Sequence, residues 1–283
     1  MSEYVEGRLL AKLKSGVDID DIREIIPSAK VLGTPGGIHL ISFEDSPVID
    51  EVRRLEESGL VEYAQPDHVY NAFLPTPYHS NDPYYADGNQ WALFNQGQNG
   101  GVAGADIRAP YAWRILYESG KPIGSPKVKV AVIDTGVDYN HPDLSANCKK
   151  ADGFDFYNTD ADPMDDGDHG THVAGIIGAT GNNGVGVTGV AWACRIYPIK
   201  ALGSSMQATD TSVLYALDHA DISGCHFVNM SFGSYSFSQA LANKITEMSS
   251  VLFVCAAGND ASNNDNSPVY PASLGFNNII SVC

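Results

Sequence analysis

The chain has 283 residues, 43% hydrophobic and 18% charged, with 34 acidic against 17 basic side chains and a formal net charge of −17. That length allows one large domain or two smaller ones, and the apolar content suffices for a buried core, which excludes wholesale disorder. The acidic balance argues against nucleic acid, whose phosphates need a concentrated basic face, and no run of ~20 apolar residues is present to span a membrane.

The N-terminus, Met1-Ser-Glu-Tyr-Val-Glu, carries acids where a signal peptide has a basic region, and no apolar stretch follows. Either the protein is not exported or the chain lacks its natural start. Residues 1–74 hold eight Glu and six Asp, whereas residues 75–283 hold two Glu and eighteen Asp. Glu favours helices while Asp favours caps, turns and metal-binding loops, so two differently built regions are expected. The stretch Phe73-Leu-Pro-Thr-Pro-Tyr-His-Ser80 reads as the linker between them.

In the first region, Arg8 to Leu13 reads as a strand. Asp18 to Ile26 places Ile19, Ile22, Ile25 and Ile26 at helical spacing before Pro27. Gly37 to Phe43 reads as a strand, Pro47 to Ser58 as a helix stopped by Gly59, and Val61 to Tyr63 as the start of a last strand. The order β-α-β-β-α-β suggests a small α+β, ferredoxin-like sandwich. In the second region, Val128–Ile133, Ile196–Ile199, Phe227–Met230, Val251–Ala256 and Ile279–Val282 are apolar runs of the kind buried on both faces of a sheet. Helical patterns at Thr171–Ile177, Ser212–Ala220 and Ser238–Met248 separate them, which predicts a doubly wound parallel α/β sheet. Such sheets place their sites at the carboxyl ends of strands.

Three polar motifs border apolar segments. Asp134 ends the run Val130-Ala-Val-Ile-Asp-Thr-Gly, where it is either a rigidly held carboxylate facing a cleft or a turn-capping Asp. His169 and His172 stand in Asp168-His-Gly-Thr-His-Val-Ala-Gly175, where two histidines at i and i+3 could instead bind metal. Asn259 closes Val254-Cys-Ala-Ala-Gly-Asn, as an oxyanion donor or as a turn residue.

Together, in this order, the Asp-Thr-Gly, His-Gly-Thr-His-Val-Ala-Gly and Ala-Ala-Gly-Asn boxes resemble the subtilisin-like serine proteases, from about residue 80 onward. The resemblance implies that Asp134 orients His169, that His169 acts as general base and then acid, and that Asn259 stabilises the oxyanion. It implies that Ser231, Phe232 and Gly233 form an edge that pairs with an extended peptide substrate, with Gly203 to Gln207 facing it across the cleft. It makes residues 1–74 an inhibitory propeptide of a zymogen, an intramolecular partner cleaved off between about Asn71 and Ser80, and residues 75–283 the peptidase domain. Val61-Glu-Tyr-Ala-Gln-Pro-Asp67 resembles the segment near that propeptide's end.

The resemblance also implies calcium. One site would take Asp82, Asp143 and Asn183 with the backbone oxygens of Gly181, Val185 and Val187. A second would take Asp155, Asn158, Asp160 and Asp162, which supply the hard oxygens Ca²⁺ prefers, unless this is a solvated acidic loop. Asp165, Asp166 and Asp168 could favour basic substrates or belong to such a loop.

The family's nucleophile sits in a Gly-Thr-Ser-Met-Ala box, and no Gly-Thr-Ser occurs here. Ser231 and Ser281 lie in segments with other roles, and the last residues, Asn277 to Cys283, resemble a core strand. The expectation is a protease fragment without its Ser, inactive as it stands, monomeric and of secretory origin. The competing expectations are a non-catalytic binding or inhibitory relative and a metallohydrolase using His169 and His172. The latter lacks the Glu of a His-Glu-x-x-His motif. Cys148, Cys194, Cys225, Cys255 and Cys283 contain no Cys-x-x-Cys pair and read as buried small residues or occasional bridges. Asn229-Met-Ser231 is formally a glycosylation sequon, expected to go unused on a core strand.

Overall fold

A computed structural model describes residues 3–70 and 75–283. Residues 71–74, which hold the start of the expected linker and cleavage interval, lie outside the described residues. The chain divides into two units, Met1–Leu74 and Pro75–Cys283.

The first unit runs β1 (Tyr4–Leu13), α1 (Ile19–Ile25), β2 (Lys30–Gly33), β3 (His39–Ser42), α2 (Val48–Ser58) and β4 (Val61–His68). Its strands pair antiparallel in the order β2-β3-β1-β4. Asp18 caps α1 by accepting from the backbone N–H of Asp20 and Asp21, which satisfies donors that a helix start leaves free. Gly59 ends α2 in the left-handed region at φ 73°. Leu9, Ala11 and Ile41 of the sheet close on Ile22, Val48 and Leu55 of the helices. Strand β2 is mostly exposed, so it lacks the alternation that would reveal it in the sequence.

The second unit opens with α3 (Pro83–Ala86) and α4 (Ala109–Glu118). It continues through β5 (Lys129–Asp134), β6 (Phe154–Asp155), α5 (His169–Gly178), β7 (Arg195–Lys200), α6 (Asp210–Ile222), β8 (Phe227–Met230), α7 (Gln239–Glu247), β9 (Leu252–Ala256) and β10 (Ile279–Val282). All six strands run parallel in the order β10-β9-β8-β5-β7-β6. Side chains alternate across the strands. Ala131 and Ile133 of β5, with Tyr197 and Ile199 of β7, pack under Val213 and Leu217 of α6 and Ile245 of α7. Val132 and Ile196 point the other way, toward Ala174 of α5. Helices therefore cover both faces, which explains why β5 is apolar without interruption. No helix among the described residues is long and apolar enough to cross a membrane.

Candidate active site

Strand β5 delivers Asp134 to its carboxyl end, fully buried. Helix α5 begins at His169 itself, two residues before the start expected from the pattern. His169 therefore occupies the first helical position, and its Nδ1 lies 2.7 Å from Asp134 Oδ1. A carboxylate oxygen can only accept, so the shared proton sits on Nδ1 and Nε2 is left as the basic nitrogen. The His169 side chain is 37% exposed, which leaves the ring reachable from solvent. Asp134 Oδ1 also accepts from the Thr135 N–H at 2.7 Å, and Oδ2 is buried without a partner among the described residues.

The approach of α5 to the end of β5 depends on glycine. A Cβ on Gly170 would lie 2.1 Å from the Gly136 carbonyl oxygen and 2.9 Å from Asp134 Cβ. Gly136, at φ 105°, turns the chain away from β5 at once. The helix start lacks an ordinary cap: Asp168 stands at the N-cap with φ 61° and makes no side-chain capping bond. Two of its free N–H groups are taken up by residues from outside the helix. Gly170 N donates to Thr135 Oγ1 at 3.0 Å, and Thr171 N donates to Asp165 Oδ2 at 2.8 Å.

Lys200 ends β7 beside Asp134, with only 1% of its side chain exposed. Its ammonium donates to the carbonyls of Thr135 at 2.7 Å and Leu202 at 2.9 Å, and to Asp166 Oδ1 at 2.5 Å. The buried cation thus holds three segments together around the Asp134 turn. Thr135, Asp165, Thr171 and Lys200 are the members of this site that the sequence reading did not single out in these roles. The available signal was Lys200 itself, a charge placed directly after the apolar run Ile196–Ile199.

Asn259 follows β9 after Gly258, which turns at φ 98°, and is exposed at the same carboxyl edge of the sheet as Asp134. A cavity of about 140 Å³ adjoins it, lined by Tyr235, Ala257, Gly258, Asp260, Val269 and Cys283 among others. Ser231, Phe232 and Gly233 continue from β8, between β5 and β9 in the sheet, and Asn229 donates to Ser231 Oγ at 2.8 Å. The segment Gly203 to Gln207 forms a turn closed by Gly203 N on the Gln207 carbonyl. His172 lines a groove of about 770 Å³ with His141, Leu144 and Ile176. Neither His169 nor Asp134 lines that groove.

Of the metal candidates, Asp82, Asp143 and Asn183 come together. Asn183 Nδ2 donates to Asp143 Oδ1 at 2.9 Å, while the backbone N–H groups of Asn183 and Gly184 reach Asp82 Oδ1 at 2.9 and 3.0 Å. Val187 N donates to Asp143 Oδ2 at 2.9 Å, and Val185 N to Asn183 Oδ1 at 2.8 Å. Gly181 stands against the Trp192 ring. Both carboxylates are buried, and neither has a cationic side chain in ion-pair range among the described residues. Two buried, uncompensated carboxylates suit a hard divalent cation.

The second candidate set is more dispersed. Asp155 accepts from Asn158 Nδ2 at 2.9 Å and Asp160 accepts from the Asp162 N–H at 2.8 Å. Asp162 turns instead to Tyr139 Oη at 2.7 Å and Lys150 Nζ at 2.8 Å. The Lys150 hydrogen bond, followed by that from Tyr139, holds the Asp162 carboxyl below its ordinary range. No group of three His, Cys, Asp or Glu side chains poised for a metal is found among the described residues.

All five cysteines are free; four are buried and Cys283 is exposed. Burial pushes the thiols of Cys148, Cys225 and Cys255 up to about 12 and that of Cys194 up to about 11, which disfavours the thiolate at these four positions near neutrality.

Residues 125–283 match the model of the subtilase family, peptidase S8. The thermophilic serine proteinase of Bacillus sp. (strain AK1) is 34% identical over 99% of this chain and 64% of that protein. Thermitase of Thermoactinomyces vulgaris is 35% identical over 68% of this chain and 62% of its own length. Subtilisin E of Bacillus subtilis (strain 168) is 30% identical over 96% of this chain and 66% of its own. The chain thus spans somewhat less than two thirds of each of these relatives.

Proposed function

The chain belongs to the subtilase family, and on that premise we propose that it is the zymogen part of a calcium-stabilised serine endopeptidase. The observation that carries the reading is the 2.7 Å contact between His169 Nδ1 and a fully buried Asp134 at the carboxyl edge of a parallel sheet.

In this mechanism Asp134 holds the imidazole with Nε2 outward. Nε2 takes the proton of a serine hydroxyl as that oxygen attacks the peptide carbonyl carbon. Asn259 donates to the oxygen that gains the negative charge. His169 then returns the proton to the departing amine, and water releases the acyl group by the same steps. The serine is not supplied by residues 1–283, which contain no Gly-Thr-Ser. We assign it to polypeptide outside them. The edge Ser231, Phe232 and Gly233 would pair with an extended polypeptide substrate as an added strand.

Calcium would be held by Asp82, Asp143 and Asn183 with backbone oxygens of Gly181, Val185 and Val187. The 155–162 loop, with Asp155, Asn158, Asp160 and Asp162, does not fit a second ion as it stands, because Asp162 is engaged by Lys150 and Tyr139. The ion supplies charge neutralisation and loop stiffness. The β-α-β-β-α-β order of residues 1–74 supports an inhibitory propeptide. A secretory compartment, where calcium is plentiful, follows from the same reading.

The test uses the natural polypeptide containing this sequence and a serine-directed phosphonylating reagent. One serine should be labelled, and His169→Ala should abolish the labelling. A full polypeptide that is never labelled would leave Asp134 and His169 without a nucleophile and would support a binding role instead.

A further inference from the structure

Asp134 and His169 belong to different elements, the end of β5 and the start of α5. Their hydrogen bond survives only if those two backbone segments hold a fixed separation. An error of about 1 Å in such a pair is costly, because proton transfer depends on alignment.

We propose that Asp165 is a positioning residue that clamps the turn after β5 to the first turn of α5 and so fixes the bond between Asp134 and His169. Its two oxygens face different partners. Oδ1 accepts from Thr135 Oγ1 at 2.7 Å and from Gly167 N at 2.9 Å. Oδ2 accepts from Thr171 N at 2.8 Å and Thr171 Oγ1 at 2.5 Å. Thr135 directly follows Asp134, and its Oγ1 in turn accepts from Gly170 N, the residue after His169. Thr171 Oγ1 also accepts from Asp138 N at 2.9 Å, so a second point of the β5 loop is tied to the same helical turn.

Asp165 also serves α5 as its missing cap. Asp168 occupies the N-cap and its carbonyl accepts from His172 N, but its side chain makes no bond to the helix, so the carboxylate that caps the helix start is that of Asp165. A negative charge there meets the positive end of the helix dipole. Burial alone would raise the Asp165 pKa. The hydrogen bonds from Thr171, Gly167 and Thr135 outweigh it and hold the group below the ordinary carboxylate range.

Asparagine cannot replace this carboxylate, because its amide nitrogen would face an N–H or O–H donor on one side. The catalytic weight of the clamp rests on His169 being the proposed base. The clamp itself can be read without any turnover. The experiment follows the His169 Nδ1–H proton by NMR in the 283-residue chain, as its exchange rate with water, for wild type, Asp165→Asn, Thr135→Val and Thr135→Ser.

We expect a slowly exchanging, strongly deshielded signal in the wild type. Exchange should be about tenfold faster or more in Asp165→Asn, the order expected for losing charged hydrogen bonds. Amide signals of α6 and α7 should stay in place. Thr135→Val should accelerate exchange and Thr135→Ser should restore it, which keeps the test open if Asp165→Asn does not fold. Exchange within twofold of wild type in Asp165→Asn, or in a folded Thr135→Val, would overturn the proposal. A polypeptide with the NMR effect but no serine labelling would retain the clamp and lose the peptidase reading.

Discussion

Replacing Lys200 by Met removes the ammonium and keeps a side chain of similar length. The carbonyls of Thr135 and Leu202 then lose a donor inside the protein, at about 1–3 kcal/mol each. Asp166 also loses its partner, but its side chain is 50% exposed and water replaces most of that interaction. Relief of the ammonium's desolvation works in the opposite direction. The net loss should be about 2–4 kcal/mol, or roughly a 5–15 °C fall in Tm for a unit of this size. Thermal unfolding of the full chain by near-ultraviolet circular dichroism reads this. Asp166→Asn serves as the comparison and should cost less than about 1 kcal/mol. A Lys200→Met variant melting within a degree or two of wild type would refute the idea that the buried amine holds the Asp134 turn.

Three further outcomes follow from the same geometry. Chelation should lower Tm and added Ca²⁺ restore it, by about 2.7 kcal/mol at a hundredfold excess over Kd, with Asp82→Asn removing most of the response; a Tm indifferent to calcium would count against the site. The native chain should react with a thiol reagent at pH 8 at Cys283 alone, because its other four cysteines are buried, and at all five after unfolding; rapid alkylation of a second thiol would contradict the packing. Because the Asp165 pKa is depressed by folding, the stability it contributes is present above about pH 4 and is lost as pH falls through its folded value. Asp165→Asn should therefore flatten the acid limb of the stability curve; an unchanged limb would show that other carboxylates dominate it.

The parts of the fold that could be read from sequence are those where one physical rule dominates. Apolar runs betrayed the strands β5, β7, β8 and β9, most plainly β5, where the sheet is covered by helices on both faces and needs no polar side. Strand β2 escaped because it is exposed, and β6 because two residues carry no pattern. Asp134 and His169 were legible because each closes or opens an apolar element with a polar group. Asp165 was seen only as one charge among neighbours, since its role depends on Thr135, thirty residues earlier in the chain. Lys200 was missed for a similar reason: two of its three acceptors are carbonyl oxygens, which no sequence pattern displays, and the third, Asp166, lies 34 residues earlier in the chain. The metal candidates divide by the same logic, for Asp82, Asp143 and Asn183 meet across the fold while Asp162 is drawn to Lys150.

The central claim is that Asp134 and His169 drive peptide-bond hydrolysis with a serine carried elsewhere on the polypeptide. Its most direct test compares hydrolysis of an unstructured protein substrate by the natural full-length polypeptide and by its Asp134→Asn variant, both folded to the same extent. The account predicts wild-type cleavage that a serine-directed reagent stops, and a fall of about 10⁴-fold in kcat for the variant, the usual weight of the orienting acid. Equal rates in the two proteins, or no hydrolysis by the wild type, would contradict it.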